Sequence, residues 1–215
     1  VARTADHDLR RREIAGAVRR LVATAGLDEA TVANVAREAG FSVGLVQHYF
    51  RSKDELLLFA YRQVTAAIHD RVAARIADGV TRRRTISAVL FDSLLELLPL
   101  DDERRGEYRV ARAFRGRALD DDTLAEVARA GAADLGDQLS TAVHNGKECG
   151  EVEPDLDPAL AAVRIAALVD GLAEQLYLDP NRGVGDRTLR TTAEDLVREC
   201  LDHVFTGECR QYRRG

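Results

Sequence analysis

Residues 31–50 read TVANVAREAGFSVGLVQHYF, and the fold turns on what this stretch can form. Its apolar spacing predicts two short helices, over residues 31–39 and 42–49. Two such helices cross steeply only where their contact residues are small and the turn between them is tight. Ala36 supplies the small contact, and Gly40, four residues later, can take the positive φ a tight turn needs. Val46 then anchors the second helix against Val32, Val35 and Ala39. That packing leaves Ser42, Val43, Gly44, Gln47 and His48 on the outer face. An ordinary helical hairpin within a larger bundle shares this spacing.

Working outward, helical periodicity continues almost everywhere. Ile14, Ala17, Val18, Leu21, Val22 and Ala25 recur on one face of a first helix that Gly26 stops. Thr31 is a plausible N-cap for the helix that follows it. Ser52 and Glu55 form a capping box that opens a long helix over about 53–77, ended by Asp78-Gly79 and placed to link head and body mechanically. Further helices are expected over 85–98, 102–117, 123–145, 158–178 and 187–205. Asn145-Gly146 and Cys149-Gly150 read as a loop, Asp157-Pro158 as a cap with Pro at the first helical position, and Asp186 as a cap for the last helix. The expected fold is all-α: a three-helix helix-turn-helix head over residues 1–52 and a larger helical body over 53–215.

Charge points to the head as the business end. Residues 1–53 hold eight Arg and Lys53 against six acidic side chains, a net +3, so the remainder of a chain with formal net charge −5 carries −8. A basic head on an acidic body confines the electrostatic footprint of a nucleic-acid partner to one end. No apolar run approaches the roughly 20 residues of a membrane span, and Val1-Ala2-Arg3-Thr4 has no apolar core of a signal peptide. Three cysteines, an odd number without paired metal spacing, fit a reducing cytoplasm.

The helix of about 17 residues, the helix-turn-helix and the run His48-Tyr49-Phe50-x-x-Lys53-x-x-Leu56 together resemble the tetracycline-repressor (TetR) family. Thr31, Ala36, Gly40, Ser42 and Gly44 match as well, so the close likeness spans about residues 10–60. The His-Tyr-Phe form resembles the subgroup typified by choline-responsive regulators of betaine synthesis. The resemblance implies a dimeric repressor that reads a palindromic operator in double-stranded DNA and is released by a small organic effector. It places Ser42, Val43, Gly44 and Gln47 toward the bases, and Thr31, His48, Tyr49 and Lys53 on the backbone. Many relatives carry Tyr where this chain has Gln47. Gln47 either pairs with a base, since Gln can bond adenine bidentately, or reaches phosphate as that Tyr does. Arg3, Arg10, Arg11 and Arg12 either track the DNA or form a solvated helix face.

In the body, residue type alone nominates Phe91, Tyr108, Arg112, Phe114, Arg115 and Tyr177 as effector contacts, because such cavities are mostly apolar with a few oriented polar groups. A homodimer interface is expected on the last two helices, through Val163, Ala167, Leu168, Gly171, Leu172, Leu189, Leu196, Val197 and Leu201, with Leu160, Leu178 and Val204 in the same apolar set. These are more apolar positions than two rim helices need, and a two-fold four-helix interface explains the excess. The five histidines share no ligand-like spacing with Cys or acidic residues, so no metal site is expected, and no cofactor. Gly183-Val184-Gly185 lacks the third glycine of a dinucleotide loop, and no nucleophile elbow or phosphate loop is present. The rival readings are a helical small-molecule-binding or scaffold protein without specific DNA recognition, and an all-α enzyme.

Overall fold

The computed structural model describes residues 2–210 and, among them, the side chains of residue 7 and of residues 9–210. The elements run α1 (Ala2–Thr24), α2 (Val32–Ala39), α3 (Val43–Tyr49), α4 (Lys53–Thr81), α5 (Ile86–Leu95), α6 (Asp102–Arg117), α7 (Asp122–Cys149), α8 (Pro158–Leu178), β1 (Gly183–Val184), β2 (Arg187–Thr188) and α9 (Leu189–Asp202). The fold is all-α apart from the two-residue antiparallel ribbon β1–β2. No helix among the described residues is long and apolar enough to cross a membrane.

The chain divides into two compact units, Val1–Ile68 with Asp101–Ala128, and His69–Leu100 with Arg129–Gly215. The start of α4 and all of α6 group with the helix-turn-helix in the first unit. The core of the first unit gathers Ile14, Val18 and Val22 of α1, Val35 and Ala36 of α2, Val46, Phe50, Leu56, Ala60 and Val64, and Val110 of α6. Two arginines of α6 fasten it there. Arg109 donates to the Ala23 carbonyl at 2.6 Å, satisfying an orphan acceptor at the end of α1. Arg117 reaches both carboxylate oxygens of Asp54, at 2.9 and 3.2 Å, on the first turn of α4.

In the second unit the acids do the fastening. Glu96, almost fully buried, accepts from Arg71 at 3.0 Å and from Arg75 at 3.0 and 2.8 Å. Glu151, also buried, accepts from the Ile86 and Ser87 N–H groups at 2.8 and 2.9 Å, two of the donors the first turn of α5 leaves unpaired.

Several expected boundaries shift, and packing is the reason. Helix α4 runs through Asp78-Gly79 to Thr81. A Cβ at Gly79 would lie 2.2 Å from Val89, so this glycine permits close approach of α4 and α5 instead of ending a helix. Asn145-Gly146, expected in a loop, stays inside α7, where a Cβ at Gly146 would meet Val152 at 2.7 Å and Phe205 at 2.8 Å. The chain turns instead at Gly150, with φ of 93°. Helix α5 stops at Leu95. The cap of α9 is Thr188, in a reciprocal box with Thr191, and not Asp186.

Candidate nucleic-acid interface

Local bonding makes the helix-turn-helix. Thr31 caps α2, its hydroxyl accepting from Asn34 N at 3.2 Å. The helix ends at Gly40, whose φ of 72° is the left-handed conformation that glycine adopts without steric cost. Phe41 N then donates back to the Ala36 carbonyl at 2.9 Å and closes the turn. Ser42 caps α3 by accepting from Leu45 N at 3.2 Å. Val35, Ala36 and Val46 are sealed between the two helices. Ser52 accepts from Glu55 N at 3.0 Å at the start of α4, while the Glu55 carboxylate takes Arg51 N at 2.8 Å.

The opposite face of α3 is open. Ser42, Val43, Gly44, Gln47 and His48 are all exposed, and Val43 keeps 44% of its surface although it is apolar. Among the described residues nothing holds the Gln47 amide. The Ser42 oxygen is engaged as an acceptor, which leaves its O–H free to donate. A Cβ at Gly44 would meet nothing within 4 Å, so the space over this face suits an approaching surface. Tyr49 is half-buried, with its ring 4.8 Å from that of His7 and 5.3 Å from that of His48. Lys53 is half-buried, with Nζ 3.5 Å from the Asp28 carbonyl, the outer limit of a hydrogen bond. Thr31 is exposed at the N-terminus of α2, where N–H groups and the helix dipole favour phosphate.

The candidate arginines separate. Arg11 lies over the Phe50 and Phe59 rings, at 5.0 and 4.7 Å, so it packs the first unit. Arg10 pairs with Glu13 at 3.1 Å and lies 5.2 Å from the Phe41 ring. Arg12 is exposed, and the Arg3 side chain lies outside the described residues. Arg51, exposed between His48 and Lys53 in sequence, is a cation that the motif does not single out.

The six effector candidates fall in both units. Tyr108, Arg112, Phe114 and Arg115 belong to α6 in the first unit, whereas Phe91 and Tyr177 belong to the second. Phe114 is fully buried and stacked on Tyr61 at 4.0 Å, filling core and leaving no face for a ligand. Arg112 and Arg115 are exposed, and Tyr108 and Tyr177 are half-buried. Phe91 does line a cavity of about 200 Å³, with Thr85, Ser87, Ala88, Arg198, Leu201 and Asp202, and the Arg198 guanidinium lies 4.1 Å from its ring. A second cavity of about 350 Å³ shares Thr85 and Ser87 and includes Arg83, Glu151, Phe205 and Cys209.

The dimer candidates also divide. Leu172, Leu189, Val197 and Leu201 are interior to the single chain, each at most 3% exposed, so they have no surface left for a partner. Leu168 and Leu196 are half-buried, and Val163, Ala167 and Gly171 are exposed. With Leu160 (51% exposed), Val163 (66%) and Leu178 (70%), the exposed apolar surface forms a stripe along α8 at helical spacing. The outward side of α9 carries mostly charges, among them Arg190, Glu194, Asp195 and Glu199.

Known proteins agree with this architecture. Residues 14–59 match the family described as bacterial regulatory proteins, tetR family, and residues 87–205 match the BetI-type transcriptional repressor C-terminal family. The chain belongs to the TetR family. It is 32% identical to the HTH-type transcriptional regulator PksA of Bacillus subtilis, over 92% of this chain and 93% of that one. Against the regulator BetI 1 of Chromohalobacter salexigens it is 30% identical, over 90% and 91%. A transcriptional regulator of Rhodococcus sp. Rha1 superposes with a TM-score of 0.74 at 29% identity, covering 91% of this chain and 96% of that one. A regulator of Saccharomonospora viridis solved in complex with choline superposes with a TM-score of 0.73 at 23% identity, covering 90% and 93%, a likeness of fold. TetR-family proteins are DNA-binding transcriptional regulators and not enzymes, and this chain is one of them.

Proposed function

We propose that this TetR-family regulator is a cytoplasmic homodimeric repressor that holds a palindromic operator through two copies of α3 and releases it when a small organic effector occupies the body. The observation that carries the reading is the outer face of α3. Its inner face is sealed by Val46, while Val43, Gly44, Gln47 and His48 stand open. A recognition helix needs this asymmetry, because its N-terminal residues enter the major groove while the other side stays packed. Ser42, Val43, Gly44 and Gln47 face base edges; Thr31, His48, Tyr49 and Lys53 hold the phosphates.

Dimerisation through the α8 stripe of Leu160, Val163, Ala167, Gly171 and Leu178 sets two heads about 34 Å apart, one turn of B-DNA, or a multiple of it. Relatives of BetI type and a fold neighbour holding choline support an organic effector. The adjoining cavities beside Phe91 and Phe205 offer room for part of such a molecule.

The test is a gel shift with the DNA that flanks the protein's own gene, followed by titration of effector into the complex. Protection of a two-fold symmetric site is the expected result. Because coupling is reciprocal, saturating operator should weaken effector binding by the factor by which effector weakens DNA binding, about 5–150-fold. A chain that binds effector equally with and without operator is a binding protein without this regulation.

A further inference from the structure

Two segments remote in sequence meet behind the N-terminus of α5. Cys149 closes α7, Glu151 follows the turn at Gly150, and Cys209 lies beyond α9. Gly207 N donates to the Glu151 carbonyl at 2.9 Å and Arg210 N to the Cys149 carbonyl at 2.7 Å, so a backbone bond on each side fixes the register. All three side chains are buried, and the two sulfurs and a Glu151 oxygen lie within 4.8 Å of one another.

The carboxylate is already aimed. Its two oxygens take the Ile86 and Ser87 N–H groups, one each, and the Cys149 thiol donates to Oε1 at 3.2 Å. Each oxygen carries a further lone pair, and the thiol proton occupies the one a cation would use. Two sulfurs and one hard oxygen are the donor set of a zinc-type ion, not of calcium or magnesium, which take oxygen alone.

We propose that Cys149, Cys209 and Glu151 form a three-ligand site for a thiolate-binding divalent cation of the zinc type. This inference is independent of the DNA-binding reading.

The distances permit it. Zinc–sulfur bonds of about 2.3 Å in tetrahedral geometry put the sulfurs about 3.8 Å apart, so the cluster closes by about 1 Å at most, through cysteine side-chain rotation. The cation displaces both thiol protons, which coordination does outright. The N-terminal N–H groups of α5 offset part of the remaining negative charge. Access comes through the cavity of about 350 Å³, whose walls include Glu151 and Cys209. Three protein ligands leave a fourth position for water.

The experiment titrates the reduced full-length protein with cadmium alone, following thiolate-to-metal charge transfer in the ultraviolet. Zinc then competes against a chromophoric chelator. A single equivalent per chain is expected, with the intensity of two thiolates. Cys149→Ser and Cys209→Ser should each abolish it, while Cys200→Ser, outside the cluster, should leave it intact. Glu151→Gln should weaken binding about tenfold or more. Because Glu151 also caps α5, the two cysteine variants, checked for native helicity by circular dichroism, carry the test. Charge transfer that survives Cys209→Ser overturns the proposal. So does a reduced protein that ignores cadmium, whether or not air joins Cys149 to Cys209 as a disulfide.

Discussion

Gln47→Ala tests the proposed base reading apart from the head's proposed phosphate contacts. The side chain is exposed, and nothing among the described residues holds its amide, so truncation should alter folding stability by no more than about 0.5 kcal/mol. A bidentate Gln–adenine pair discriminates by about 1–3 kcal/mol, or roughly 5- to 150-fold per half-site. With two heads on one operator the loss reaches about 2–6 kcal/mol if the half-sites act independently. Lys53→Ala makes the contrast. Its ammonium sits at the limit of bonding distance from the Asp28 carbonyl, so little stability depends on it. Each lost phosphate contact should flatten the slope of log affinity against log salt by about 0.9, hence by about 2 for a dimer. Fluorescence anisotropy on operator and scrambled duplexes across a salt series reads both quantities. Gln47→Ala is expected to weaken the operator alone and leave the slope unchanged, while Lys53→Ala weakens both duplexes equally. An equal loss on both duplexes for Gln47→Ala, with a flattened slope, would make Gln47 a phosphate contact and refute the base-reading assignment.

Other predictions test the body. Val163→Glu places a charge within the α8 stripe, where the side chain is two-thirds exposed in the single chain. Sedimentation should then show monomers with native helicity and weak operator binding, and a persistent dimer would move the interface elsewhere. Arg83 has a positive φ of 54°, so Arg83→Gly should raise stability in urea by about 1 kcal/mol, and a loss would show that its side chain matters more than its backbone. Burial, first of all, pushes the Cys149 thiol from 9.0 up to about 12. The unfolded chain therefore releases this proton before the folded one does, and stability should fall as pH climbs from about 9 toward 12. In Cys149→Ser that part of the alkaline loss should disappear from urea midpoints, and an undiminished loss would assign it to other groups.

Much of the head was legible in sequence because its determinants are local. Thr31 and Ser42 cap helices whose first free N–H groups lie three residues on, and Gly40 closes a turn on a carbonyl five residues back from Phe41. Such short-range rules do not depend on what the rest of the chain does. The acidic body obeys longer-range ones. Gly79 and Gly146 carry the composition of helix ends, yet each sits within a helix because a neighbour from another element occupies the space of its missing side chain. A periodicity argument has no access to that neighbour.

The same limit explains the apolar positions of α8 and α9. Counting them identifies a surplus, but burial within one chain and burial against a second chain draw on the same residue types. Leu172, Val197 and Leu201 spend their surface inside the chain, Leu168 and Leu196 keep part of theirs, and the stripe from Leu160 to Leu178 keeps most. Phe114 meets a related limit: it has the size of a ligand contact, and stacking on Tyr61 consumes it. Cys149 and Cys209 show the converse. Their spacing carries no metal signature, because the segments that bring them together are joined by backbone bonds formed only once α7, α8 and α9 have packed. The ligand chemistry proposed for the body therefore depends on tertiary contacts, whereas the helix-turn-helix itself is written in one contiguous stretch of 20 residues. A substitution at Phe91 or Cys209 leaves every bond of the α2–α3 turn in place, because that turn is closed by Phe41 N on the Ala36 carbonyl and by the Thr31 and Ser42 caps.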